Sequence, residues 1–137
     1  STQGVSSAAS DVYKRQMQYL YIFVGGALGA LIRFCLSMLN EGSTIPLGTF
    51  VANLLGAFLM GSIGALSLSL FKTHPNIKKG LTTGLLGALT TFSTFQFELV
   101  TLFNQHHFIL FTIYGVTSYI LGILSCYLGV KIGGRFS

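Results

Sequence analysis

Four long apolar runs, approximately residues 19–39, 47–71, 80–103 and 108–132, constrain this chain more than any other feature. Each reaches or exceeds the ~20 residues that an α-helix needs to cross a bilayer. Charged residues make up 8% of the 137 residues and hydrophobic ones 51%. An average soluble domain carries roughly 25% charge, so a water-soluble surface cannot be built from this composition. The polar breaks at 40–46, 72–79 and 104–107 are too short to hold domains, so consecutive helices must run antiparallel. Runs of this length without period-two polarity argue against barrel strands. The expected fold is therefore an all-α integral membrane protein with four transmembrane helices, occupying residues 17–137.

The net charge of +5 does not point to nucleic acid, because the cations flank apolar segments and no basic stripe with interleaved aromatics is present. Lys72, Lys78, Lys79, Lys131 and Arg135 would share one face of the membrane, while the opposite loops carry Glu41, His106 and His107. The positive-inside rule then puts both termini in the cytoplasm. Residues 1–16 are polar, lack an apolar core and end in Lys14 and Arg15 before Met17. They read as a non-native or disordered N-terminal extension rather than a signal peptide. Cys35 and Cys126 lie in apolar runs without ligand spacing and read as packing residues.

Glycines recur at helical spacing, as Gly25 with Gly29, Gly80 with Gly84, Gly84 with Gly87, and Gly61 with Gly64. In lipid, small residues on one face permit the close approach that drives helix association. Apart from Lys131 at the very end of the fourth run, two ionised side chains fall within the spans, Arg33 and Glu98. An intramembrane charge costs at least ~2.5–3.5 kcal/mol at a helix centre, so each needs a partner or a water-filled cavity. Arg33, near the end of its span, could instead snorkel to the interface, and for Glu98 proton-coupled transport and a structural pair both remain open.

Thr49 and Asn53 stand one turn apart on one face of the second helix. Together they offer donors to an anion, or a helix-to-helix hydrogen bond. In the third span, Gly87-Ala88-Leu89-Thr90-Thr91-Phe92-Ser93-Thr94-Phe95 concentrates hydroxyls and phenylalanines after a glycine. Ser and Thr compete for backbone groups, so a break or unwound turn is expected in the third helix. Irregular backbone at membrane depth is tolerated where it is buried in protein or lines an aqueous path, and its freed carbonyls can bind a cation. Phe92 and Phe95, at i and i+3, share one side. Such a pair is ordinarily packing, but the electropositive ring edges can also face a small anion with contacts weak enough to let it leave.

These residues resemble the Fluc, or CrcB-type, fluoride channel family. The match is carried by Gly25-Gly26-Ala27-Leu28-Gly29-Ala30-Leu31-Ile32-Arg33, by Gly48-Thr49-Phe50-Val51-Ala52-Asn53-Leu54-Leu55-Gly56-Ala57-Phe58, and by the segment 84–98, whose Thr-Thr-Phe-Ser-Thr-Phe core is the most specific part. The resemblance extends from Met17 onward. It implies a dual-topology dimer of antiparallel subunits with two fluoride pathways at the interface, conducting passively and exporting fluoride from the cytoplasm, so that fluoride toxicity is reduced. It implies that Asn53, Phe92 and Phe95 lie on the fluoride path, with Thr49, Ser93 and Thr94 as hydroxyl neighbours. Tyr114 and Ser118 would form a polar track in the fourth span, with Gly122 continuing that face without a hydroxyl. Backbone carbonyls of Gly87 and Thr90 from both subunits would hold a structural sodium ion at the dimer centre. Arg33 and Glu98 match charged positions of the family without a firm role. The cation bias complicates a homodimer, since a subunit inserting both ways should be balanced. Either the bias is overridden, or the partner is an oppositely oriented paralogue. The location implied is a plasma membrane, in a prokaryote the inner membrane.

No phosphate-cradling glycine loop and no His, Cys and carboxylate set with metal-ligand spacing is present in the sequence, and no enzymatic activity is expected. The competing class is a proton-coupled small multidrug or guanidinium-type exporter, which would carry its essential Glu in the first span, where this chain has Arg33. A non-transporting scaffold would leave Asn53 and the hydroxyl cluster without a purpose.

Overall fold

The computed structural model describes residues 2–42, 44–66 and 69–136. Ser43 of the first polar break and residues 67–68 of the second apolar run lie outside the described residues. All the regular structure among the described residues is helical, with α1 at Thr2–Ser37, a 3-10 turn at Met38–Asn40, α2 at Leu47–Ala65, and α3 at Ser69–Thr73. Then come α4 at Pro75–Lys79, a widened π-helical stretch at Gly80–Leu86, α5 at Gly87–Leu89, α6 at Ser93–Asn104 and α7 at Phe108–Arg135.

Four helical stretches are long and apolar enough to cross a membrane, at Ser7–Asn40, Leu47–Ala65, Pro75–Asn104 and Phe108–Arg135. The protein is thus a multi-pass membrane protein with four spans. The second is shorter than the sequence suggested. It stops at Ala65, Leu66 turns to extended backbone (φ −71°, ψ 124°), and the run's last residues belong to the separate α3. Nineteen residues at 1.5 Å each already cover nearly all of a ~30 Å hydrocarbon core. Residues 2–16 continue α1 as helix, with Asp11 and Arg15 paired at 3.1 Å on its exposed surface.

Close backbone contacts fix how the spans pair. A Cβ on Gly25 would meet the carbonyl of Gly80, and one on Gly29 would meet that of Leu85, so α1 and the third span run side by side in one direction. Gly129 meets Phe58 and Gly133 meets Ser62, so α2 and α7 run together in the other direction. Here only glycine fits, because lipid provides no hydrophobic drive and association depends on backbones packing closely. Of the glycines singled out from sequence, Gly64 has nothing within 4 Å and contributes no such contact.

This pairing gathers Lys72, Lys78, Lys79, Lys131 and Arg135 at one end of the bundle, and Glu41, His106 and His107 at the other. The apolar side chains face outward in large number, among them Phe23, Phe92, Ile109 and Tyr119. Buried apolar residues are few: Ala52, Leu86, Leu89, Leu102 and Tyr114.

Candidate functional site

Between Leu89 and Ser93 the chain leaves helical geometry, and Thr90 is extended (φ −83°, ψ 153°). Asn53, in the middle of α2, meets this stretch. Its Oδ1 accepts the Thr91 N–H at 2.8 Å, and its Nδ2 donates to the Thr91 carbonyl at 3.0 Å. The two contacts replace helical partners that the backbone has lost, as polar backbone away from water requires. They also fix which way the carboxamide points, leaving its second N–H unused by Thr91.

The first turn of α6 is secured by Thr91 as well, whose Oγ1 accepts the Thr94 N–H at 3.2 Å and lies 3.5 Å from Ser93 Oγ. A hydroxyl accepting an N–H three residues ahead is the ordinary way to satisfy a helix start. On the other side, the Thr90 hydroxyl donates to the Leu86 carbonyl at 2.9 Å, and its methyl occupies the space where a side chain on Gly56 would stand.

The structure divides the candidates into neighbouring sets. Asn53, Phe92, Phe95 and Ser118 line one groove of about 340 Å³, together with Tyr119, Gly122, Ile123 and Cys126. The Phe92 and Phe95 rings stand 6.3 Å apart. Phe92 is 70% exposed, so the groove opens on the outer surface of the helix bundle. Ser118 Oγ is shielded from solvent without a hydrogen-bond partner, a donor free for something in the groove. Thr49, Thr94 and Arg33 line a different cavity of about 430 Å³, with Ser37 and Asn40. Ser93 is exposed and lines neither.

Tyr114 and Glu98 join these regions. The buried Tyr114 ring meets Phe95 edge-on at 5.1 Å, and its hydroxyl donates to Glu98 Oε1 at 3.4 Å. Thr49 places its hydroxyl beside the same carboxylate. Glu98 therefore has hydroxyl partners instead of a cation, and Arg33 faces a cavity. A third cavity, of about 560 Å³, reaches Glu98 from the end of the bundle past Gln105 and His107. No group of three or more His, Cys, Asp or Glu that could hold a metal occurs among the described residues.

Of Gly87 and Thr90, whose carbonyls were expected to hold sodium, the first opens the last helical turn before the non-helical stretch and the second is that stretch's first residue. In a continuous helix these carbonyls would accept the N–H groups of Thr91 and Thr94. Both donors go elsewhere, to Asn53 Oδ1 and Thr91 Oγ1. A pair of carbonyl oxygens relieved of their usual helical donors suits a hard monovalent cation, so these residues fit such an ion. Thr91 itself was not singled out from the sequence. Its signal was a hydroxyl three residues ahead of Thr94, which reads as a helix start once a break is placed before it.

Comparison with known proteins adds an independent line. The family model described as CrcB-like protein, Camphor Resistance, matches residues 20–130. The protein named Fluoride-specific ion channel FluC 1 of Staphylococcus aureus (strain N315) is 57% identical over 122 residues, covering 89% of this chain and 83% of its own. Fluoride-specific ion channel FluC 2 of Staphylococcus haemolyticus is 62% identical over 119 residues, covering 87% of this chain and 98% of its own. The protein of that same name from Staphylococcus saprophyticus is 58% identical over 121 residues, 88% and 100% respectively.

Proposed function

This chain belongs to the CrcB-like protein family, and from that premise we propose that it is a subunit of a fluoride-specific ion channel, passively exporting fluoride from the cytoplasm. The observation that carries the reading is the groove in which the oriented Asn53 carboxamide, the unpartnered Ser118 hydroxyl and the Phe92 and Phe95 rings converge. Fluoride is small and strongly hydrated, so a pathway must offer donors as water is stripped. Amide and hydroxyl N–H and O–H groups do this directly, and ring edges do it weakly, through the aromatic quadrupole. No fixed positive charge lines this groove, so the ion is not trapped.

We read the third span as broken at residues 90–92, with the break lining the pathway. The wide exposure of Phe92 is accounted for if a second subunit closes the groove, in an antiparallel dimer. The carbonyls of Gly87 and Thr90 would then hold a sodium ion at the subunit interface, where its charge would tie the two chains together. The gathering of cations at one end supports a cytoplasmic position for that end in a plasma membrane, in a prokaryote the inner membrane. The same bias leaves two partners in play, a second copy of this chain or an oppositely oriented paralogue. A channel of this kind performs no chemistry on its ion, so it is not an enzyme.

The reading is tested by loading liposomes that contain the purified protein with potassium fluoride, and in parallel with potassium chloride, and adding a potassium ionophore to carry the compensating charge. Fluoride should leave rapidly while chloride stays. Fluoride efflux no faster than from protein-free liposomes would overturn it. Efflux of guanidinium driven by a proton gradient would support the exporter class instead.

A further inference from the structure

The same few hydrogen bonds that shape the groove also relieve the two carbonyls beside it. We propose that Thr91 is a positioning residue that couples the anion groove to a monovalent-cation site at the carbonyls of Gly87 and Thr90; this rests on the channel reading above.

The helical donor for the Gly87 carbonyl is the Thr91 N–H, and Asn53 Oδ1 holds it at 2.8 Å. The helical donor for the Thr90 carbonyl is the Thr94 N–H, and Thr91 Oγ1 holds it at 3.2 Å. One residue, by its backbone on one side and its hydroxyl on the other, thus keeps both donors away from the carbonyl pair. Its own carbonyl takes Asn53 Nδ2 at 3.0 Å, so the backbone at Thr91 is anchored to α2 at both its polar groups. Phe92 follows directly, and Phe95 lies in the turn that the Thr91 hydroxyl secures. The spacing between carboxamide and rings, and the availability of the carbonyls, therefore depend on one residue, through its peptide groups and its hydroxyl.

The hydroxyl separates this role from simple packing. Valine has the shape of threonine without the acceptor. In Thr91→Val the Thr94 N–H loses its partner, and the acceptor offered by helical continuation is the Thr90 carbonyl. Serine keeps the acceptor and drops only the methyl.

The test uses full-length protein purified in detergent and reconstituted in liposomes. Its first readout is the unfolding midpoint in sodium chloride against N-methylglucamine chloride. Its second is fluoride efflux. Wild type and Thr91→Ser should be stabilised by sodium and conduct within about twofold of each other, whereas Thr91→Val should lose the sodium-dependent shift and conduct about tenfold more slowly, the effect of one lost hydrogen bond. Thr91→Ala gives the same comparison if the valine variant does not fold. A Val or Ala variant that keeps both the sodium shift and wild-type efflux overturns the proposal, as does a wild type indifferent to sodium. A wild type that shows the sodium shift, loses it in Thr91→Val and yet conducts no fluoride supports the coupling while overturning the channel reading.

Discussion

Asn53 and Thr91, thirty-eight residues apart in the chain, are joined by two hydrogen bonds of 2.8 and 3.0 Å between one carboxamide and one peptide group. The pairing makes a side chain in the middle of α2 the partner of backbone that has left the helix. It also sets the direction of the donor that the groove presents.

Asn53→Asp should therefore damage both stability and flux. The acceptor facing the Thr91 N–H survives, but the second oxygen now confronts the Thr91 carbonyl without a donor between them. An unsatisfied polar contact of this kind costs about 1–3 kcal/mol. The unfolding midpoint should fall and fluoride efflux should drop to the background of protein-free liposomes, which a melting curve and a fluoride electrode check together.

Phe92 and Phe95 should separate function from stability. Phe92 is largely exposed on its own chain, so Phe92→Ile should suppress fluoride efflux and lower the melting midpoint less than Phe95→Ile does. Phe95 meets Tyr114 edge-on at 5.1 Å, and Phe95→Ile should lower efflux and also cost about 0.5–1.5 kcal/mol for the aromatic pair. Equal melting losses in the two variants would contradict this placement.

Two glycines of α2 give a matched test of the packing. A Cβ on Gly56 would collide with Thr90 Cγ2, and the branched side chain is fixed by its bond to Leu86. Gly56→Ala should destabilise by about 1–3 kcal/mol and slow efflux by shifting Thr90. Gly64 has open space around it, and Gly64→Ala should be neutral or stabilising by up to about 1 kcal/mol.

His106 carries the one positive φ of a non-glycine residue among the described residues, at 61°, where the chain turns from α6 into α7. The His107 N–H reaches the Leu102 carbonyl at 3.0 Å and closes the turn. His106→Val should cost about 1–2 kcal/mol, because a branched side chain resists the left-handed region. His106→Gly should fold normally, and neither should change fluoride selectivity.

The four spans and their alternating directions were legible in the sequence, because long uncharged runs and short polar breaks leave a chain few choices in lipid. The second span's end was not. Apolar residues continue past Ala65, and composition does not distinguish the last turn of a spanning helix from the interfacial segment after it. Asn53, Phe92 and Phe95 were picked out from their unusual chemistry in an apolar run and Ser118 from the family resemblance, and the structure gathers them into one groove. Thr49 was grouped with Asn53 by helical spacing, and Ser93 and Thr94 by the resemblance; spacing says which residues share a face, but not which cavity that face adjoins. Thr91 escaped notice because half of its role depends on a peptide group, which leaves no mark in a sequence, and its hydroxyl reads as a helix start only once the break before it is placed.

The central claim is that fluoride crosses passively through the Asn53 and Phe92 groove. The most direct measurement is the initial fluoride efflux rate from potassium-loaded liposomes carrying wild-type protein, with a potassium ionophore added to carry compensating charge. The account predicts that efflux waits for the ionophore, is unaffected by an imposed proton gradient, and disappears in Phe92→Ile. Efflux that proceeds without the ionophore, requires the proton gradient and persists in Phe92→Ile would contradict it.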